Sequence, residues 1–293
     1  MEEIKVGIHD SEQRLDRFLR KTFPNVSINF LFSILRKKKV RVNGAVGKAA
    51  QKLALGDNIC IYENLPQQQI EKSFATEIIP KLEFALLRDD FAIIEKMCGV
   101  PSQSGTNLQK GESLVEQLEA WAFHNNKTDF KPALAHRLDK DTSGVIIAAL
   151  TGQALRKLTE IIRDRKIKKE YLALVKGHIE KKKGTIDLPL DKEAITHYEV
   201  VKSFVDFDLV RARIETGRKH QIRLHFAKIG HPIYGDSLHG DFAWNRECKK
   251  KFGISRLFLH SAYLEFEWDG EVIKIESQLP QELQKLMQVI SKN

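Results

Sequence analysis

Six consecutive apolar residues, Val145-Ile146-Ile147-Ala148-Ala149-Leu150, follow directly on nine residues dense in charge and hydrogen-bonding groups, His136-Arg137-Leu138-Asp139-Lys140-Asp141-Thr142-Ser143-Gly144. An apolar run of that length bounded by a polar segment reads as a fully buried strand. The polar residues then belong to a loop fixed by a rigid sheet, the usual way in which a functional side chain is placed. Gly144 permits a tight or left-handed backbone just before the strand. On residue types alone Asp139, between Arg137 and Lys140, reads equally as an exposed ion pair or as a carboxylate held for chemistry. His136, Asp141, Thr142 and Ser143 beside it can bond backbone or substrate.

At 293 residues the chain exceeds one ordinary domain of about 100 to 200 residues, so two are expected. In the first, residues 1–63, Leu15, Phe18 and Leu19 recur at helical spacing. After Pro24 and a possible N-cap at Ser27, Phe30, Leu31, Ile34 and Leu35 do so again. Val40-Arg41-Val42 alternates as a strand, Asn43-Gly44 and Gly56-Asp57 turn, and Ile59 and Ile61 share a strand face. Residues 64–75, polar and aperiodic with Pro66, read as a linker. In the second domain, 76–293, Phe84–Leu87 and Phe91–Ile94 form a hairpin, with strands at 171–175, 207–214 and 257–266 and helices at 114–123, 153–163 and 220–228. Strands outnumber helices without alternating regularly with them, which predicts an α+β fold.

The net charge of +9 favours a polyanion, either nucleic acid or an anionic membrane surface. No stretch approaches the roughly 18 apolar residues of a membrane span, and the N-terminus lacks the basic head and apolar core of a leader. Cys60, Cys98 and Cys248 are few and scattered, which suits a reducing compartment. A soluble cytoplasmic protein without membrane contact is expected. A kinase is excluded because no glycine-rich loop or Asp-Phe-Gly triplet accompanies His136-Arg137. His220 and His225, five apart, do not share the helical face a zinc-binding pair needs, and no Gly-x-Ser-x-Gly elbow is present.

Three constellations together resemble a known family. The stretch His136–Gly144 resembles the His-Arg-Leu-Asp-x-x-Thr-Ser-Gly signature of the RluA-type pseudouridine synthases. Lys169-Glu170-Tyr171 resembles their Lys-x-Tyr motif, although Tyr171 with Ala173 and Val175 also reads as the core face of a strand. Gly217-Arg218-Lys219-His220-Gln221-Ile222-Arg223-Leu224-His225 and Gly230-His231-Pro232-Ile233-Tyr234-Gly235-Asp236 resemble two further motifs of the family. By residue type the first of these two is a cationic surface for phosphates or a solvated helix start. Residues 14–57 resemble the RNA-binding domain named after ribosomal protein S-four, through Arg14-Leu15-Asp16, Ile34-Leu35-Arg36, Val42-Asn43-Gly44 and Leu55-Gly56-Asp57. Asp241–Asn245 and Gly253–His260 look most like the RluC branch, which modifies 23S rRNA.

The resemblance implies a catalytic domain on a mixed, largely antiparallel sheet with flanking helices. It implies that Asp139 initiates cleavage of the glycosidic bond of a flipped-out uridine, that Tyr171 packs on the uracil, and that Arg223 pairs bidentately with Asp139. His136, Arg137, Lys169, Arg218 and His220 would contact RNA, joined in the first domain by Arg36, Lys37, Lys38, Lys39 and Arg41. The partner would be 23S rRNA or a large-subunit assembly precursor, the protein a monomer, and neither cofactor nor metal is implied. A tRNA-directed synthase and a non-catalytic ribosome-assembly factor are the competing readings. The runs Lys181–Lys183 and Lys249–Lys251 read as solvated charge that could follow phosphate in an RNA enzyme. Two departures stand out: Lys219 replaces a usual Thr or Ser, and Glu95-Lys96-Met97-Cys98-Gly99 keeps only Lys96 and Gly99 of Asn-Lys-Pro-Ala-Gly.

Overall fold

A computed structural model of the chain describes residues 2–7, 10–23, 26, 28–63, 78–105, 108–109, 111–127 and 130–292. The expected linker and Pro66, together with Pro24 and Ser27, lie outside the described residues. The chain divides into two units, Met1–Ser73 and Phe74–Asn293.

In the first unit β1 (Glu2–Lys5), β2 (Val40–Val42), β3 (Ala45–Val46) and β4 (Asn58–Ile61) form a sheet of order β1-β4-β2-β3 beside α1 (Leu15–Thr22) and α2 (Ile28–Arg36). The periodic residues of the two helices, Leu15, Phe18, Leu19, Leu31 and Ile34, pack against Val40, Val42, Ile59 and Ile61. Asn43 and Gly44 both take positive φ, 52° and 81°, which joins β2 to β3 by a two-residue turn. Strand β1 carried no alternation in the sequence and exists because β4 pairs it along its length.

The second unit contains β5 (Glu83–Leu87), β6 (Phe91–Lys96), α3 (Leu114–His124), β7 (Ala133–Leu134), β8 (Ser143–Ala149), α4 (Gly152–Arg163), β9 (Lys168–Lys176), β10 (Lys183–Asp187) and β11 (Ile195–Ser203). They are followed by β12 (Phe207–Ile214), α5 (Gln221–Lys228), α6 (Phe242–Phe252), β13 (Leu259–Trp268), β14 (Glu271–Glu276) and α7 (Gln281–Ile290). The sheet runs β10-β11-β12-β9-β13-β8-β6-β5, with β14 on β13 and β7 on β8. Among the described residues only the β8–β13 pair is parallel, so the sheet is mixed and largely antiparallel as expected.

Strand β8 shows why its sequence is continuously apolar. All seven residues are buried. Successive side chains of a strand point to opposite faces, and here each face meets a different core. Ile146 and Ala148 pack with Ala92, Ile94 and, from α3, Leu114 and Leu118. Val145, Ile147 and Ala149 pack with Ala154 and Leu158 of α4 and with Phe266 and Trp268 of β13. At the entry to β8, Gly144 has φ +107°, and a Cβ there would lie 2.2 Å from the carbonyl oxygen of Ser261. Only glycine lets β8 and β13 approach so closely, which fixes the end of the loop carrying Asp139. Strands β10, β11 and β14 and helices α6 and α7 were not expected from the sequence. Strand β11, although paired on both sides, is mostly intermediate or exposed, whereas α7 buries Leu283, Leu286 and Ile290 at a helical spacing the sequence reading passed over.

Candidate active site

The backbone on either side of Asp139 is held from outside the loop. Ser102 Oγ donates to the Leu138 carbonyl (2.6 Å) and accepts from the Leu138 amide (3.1 Å). Beyond Asp139, the Lys140 carbonyl accepts from Lys96 Nζ (2.9 Å) and from the Gly99 amide (2.9 Å). Lys96, 2% exposed, also donates to the carbonyls of Met97 and Val100, and burial pulls its ammonium down to about 8. Three carbonyls thus use all three of its protons. Lys96 and Gly99, the two positions kept in the altered Glu95–Gly99 loop, are therefore those that touch the Asp139 loop. The loop's far end is tied by Ser143 Oγ, which accepts from Arg256 Nη2 (2.8 Å) and lies 2.9 Å from His260 Nδ1. Ser102 was not picked out from the sequence, and Lys96 was noted only as a kept position of the altered loop. A lysine ending the buried run Phe91–Lys96 was the available signal, since lysine is almost never buried unless partnered.

Asp139 opens into a cleft of about 900 Å³ that brings together His136, Arg137, Lys169, Tyr171, Arg218, His220 and Arg223. Arg223, 3% exposed, reaches Asp139 through a single contact, Nη1 to Oδ2 at 3.3 Å. Its two-pronged bond goes elsewhere. Nε and Nη2 each donate at 2.7 Å to the two oxygens of Asp236, which is 1% exposed. The expected bidentate Arg223–Asp139 pair is thus corrected. The fork seats Arg223 on Asp236 and leaves one guanidinium nitrogen for Asp139. Burial alone would push the Asp236 carboxyl up, but Arg223 and the amides of His239 and Leu238 outweigh it and hold it below the usual carboxylate range. Burial opposes the charge on Arg223, yet Asp236 first and Asp139 second raise its pKa.

Tyr171, on β9, is 5% exposed. Burial and the Asp139 charge push its phenol well above the ordinary range, opposed in part by a bond with Ser261, so it stays protonated. It shares the core face with Ala173 and Val175 while also lining the cleft. His136 is neutral: burial, with the Lys169 charge adding to it, pulls it down to about 3. Its Nε2 therefore accepts from the Ile147 amide (3.2 Å). His220 begins α5 in the left-handed region (φ 54°), with Nδ1 2.8 Å from His239 Nε2 and Nε2 3.9 Å from Asp139 Oδ1. That turn is stapled by Gln221, which bonds the Arg218 amide, Thr216, Thr196 and the Ile195 carbonyl. His225, read from sequence as part of a cationic surface, is fully buried between Thr196 and the Leu188 carbonyl. The helical period turns it inward with Ile222 and Phe226.

Arg218 is anchored by Nε on the Glu193 carbonyl (3.0 Å), and Arg137 is exposed at the rim. The cleft also gathers Arg165, Lys166, Lys168 and Arg213, which the sequence reading passed over. Four cations in Arg165-Lys166-Ile167-Lys168-Lys169, just before Tyr171, were the signal. Arg36, Lys37, Lys38, Lys39 and Arg41 are all exposed on the first unit, with Arg41 stacked over the Tyr62 ring at 5.4 Å.

A clamped carboxylate and a neutral tyrosine at the floor of a cationic cleft define an enzyme that works on a polyanion, not on a small neutral metabolite. The comparisons agree in detail. The family model for RNA pseudouridylate synthase matches residues 90–228. Ribosomal large subunit pseudouridine synthase C of Buchnera aphidicola is 33% identical over 90% of this chain and 88% of its own. The protein of that name from Escherichia coli K12 is 31% identical over 97% and 95%. In fold, human RNA pseudouridylate synthase domain containing 4 superposes with a TM-score of 0.62 at 23% identity, over 71% of this chain and 92% of its own. The chain belongs to the RNA pseudouridine synthase family, and it is an isomerase that converts uridine in RNA to pseudouridine.

Proposed function

We propose that the substrate is large-subunit rRNA and that Asp139 is the catalytic residue. The observation that carries the substrate is the near full-length match, through both units, to relatives named for the ribosomal large subunit. In the reaction the bond between uracil N1 and the anomeric carbon breaks, a bond from C5 to that carbon forms, C5 loses a proton and N1 gains one. Asp139, fixed on both flanks and contacted by Arg223, is the carboxylate in position to start the cleavage. Tyr171 supports the uracil as a neutral ring, and Arg137 at the rim helps fill the space the flipped base leaves. Three unpaired cysteines suit the cytoplasm, and no helix among the described residues is long and apolar enough to cross a membrane. In a strain lacking the protein, sequencing of pseudouridines should show the loss of specific sites in the large-subunit rRNA. Losses confined to tRNA would replace the substrate reading.

The first unit is an S-four-like RNA anchor in this reading, supported by its exposed Arg36–Lys39 run. Removing residues up to Gln69 should leave isomerisation of rRNA fragments at high concentration. Affinity should weaken, and the log-log salt slope should become shallower by ~0.7 to 0.9 per lost phosphate contact. Identical binding curves for full-length and truncated protein across a salt series would remove the anchor role.

A further inference from the structure

Helix α6 presents two opposite faces. Trp244, Cys248 and Phe252 point inward and pack in the core that includes Phe207 and Tyr234. Phe242, Arg246 and Lys250 are offset from them by two positions, about 200° around the helix, and form an outward line. All three are exposed, Phe242 at 57%, and Lys249 lies alongside, also exposed. The side chains of Arg246, Lys249 and Lys250 have no ion-pair or hydrogen-bond partner among the described residues, whereas Lys251 faces Asp206 at 4.0 Å. Just before the helix Leu238 is 60% exposed. Two large apolar side chains, Leu238 and Phe242, thus stand in water beside three cations without partners.

This face is tied to the active site. Asn245 accepts from the Gly235 amide (2.9 Å) and donates to the Asp236 carbonyl (3.0 Å). Asp236 in turn holds Arg223, which contacts Asp139. The amides of Leu238 and His239 bond the Asp236 carboxylate, and His239 meets His220 at the cleft wall. Asp241 caps the helix by accepting from the Trp244 amide and is itself paired with Lys176. The helix is thus fixed to the same backbone segment that seats Arg223.

The geometry points to the outer face of α6, with Leu238, as a docking surface for a single-stranded segment of the substrate RNA next to the target uridine, a base stacking on Phe242 and phosphates following Arg246, Lys249 and Lys250. The inference rests on the RNA substrate reading. Charge complementarity selects RNA over an apolar protein partner: a stripe of one ring and three cations has the composition of a single-strand track. A protein groove would be expected to leave fewer bare charges at its centre.

The test compares wild type with Arg246→Ala/Lys249→Ala/Lys250→Ala, with Phe242→Ala and with Phe242→Trp. Two rRNA fragments are used, one extending well beyond the target loop and one trimmed to it, and circular dichroism checks folding. On the long fragment the triple variant should raise KM about tenfold or more with kcat within twofold, and its log-log salt slope should be shallower by about two. Phe242→Ala should raise KM about fivefold or more, and Phe242→Trp should restore it. On the trimmed fragment all variants should match wild type. Equal KM and salt slope on the long fragment would overturn the proposal, as would a loss confined to kcat, which would make α6 only a support for Asp236. If the triple variant unfolds, the single Lys250→Glu and Arg246→Glu variants carry the same comparison. Wild-type protein that binds the long fragment through this face without forming pseudouridine would refute the substrate reading and leave the docking surface standing.

Discussion

Asp139→Asn should lower pseudouridine formation by about 10⁴-fold or more while the Kd for substrate RNA changes by no more than a few-fold. The first half of this expectation follows from the clamps on Leu138 and Lys140, which hold the residue between them still. Loss of a catalytic group typically costs several orders of magnitude in turnover. The second half follows from charge. Binding draws on the many cations of the cleft, and one carboxylate adds nothing to phosphate contacts. The backbone of the loop should not move, because its restraints are main-chain carbonyls and amides that an amide side chain leaves intact. Single-turnover assays with saturating enzyme, alongside filter binding, separate the two quantities. Turnover within tenfold of wild type would remove Asp139 from the chemistry.

Arg223→Ala is the second large effect, and the structure changes its explanation. The residue lost is chiefly the partner of Asp236, with Asp139 a lesser one. Breaking a buried pair leaves a carboxylate uncompensated, at a cost of about 3 to 5 kcal/mol. For a unit of this size each kcal/mol lowers Tm by about 2 to 4 °C, so a fall of about 10 °C is expected. Asp236→Asn should reproduce much of the loss of stability, because an amide can still accept from the Leu238 and His239 amides but cannot face both guanidinium nitrogens. The pH dependence has a definite sign. Asp236 is held below its ordinary range in the folded state, so its contribution is present above the unfolded value of about 3.9 and is lost as pH falls through the lowered folded value. The Tm gap between wild type and Asp236→Asn should therefore be full at pH 7 and close below about pH 4. A gap that persists undiminished at pH 2, or an Arg223→Ala protein as stable as wild type, would show that the fork contributes nothing.

Much of the architecture could be read from local pattern. The Val145–Leu150 run, the Asn43-Gly44 turn and the helical spacing of Leu15, Phe18 and Leu19 each carry their information within a few residues. Each matched the element found. Strands such as β10 and β11 could not be read, since most of their residues are intermediate or exposed and impose no strict alternation.

At the site the same division holds. The sequence by itself determined that Asp139 lies in a polar segment before a buried strand, that Gly144 permits a tight backbone at its end, and that a tyrosine and an arginine stand in two further motifs. Tertiary structure alone decided what holds them. Lys96 reaches Lys140 across 44 residues, Ser102 reaches Leu138 across 36, and Arg223 reaches Asp139 across 84. It also decided that Arg223 turns its fork to Asp236 and that His225 goes to the core. The physical reason is range. Backbone preference and side-chain periodicity act over a few residues and write themselves into spacing, whereas the pairing of buried charges and carbonyls depends on which strands become neighbours, and only the folded sheet specifies that.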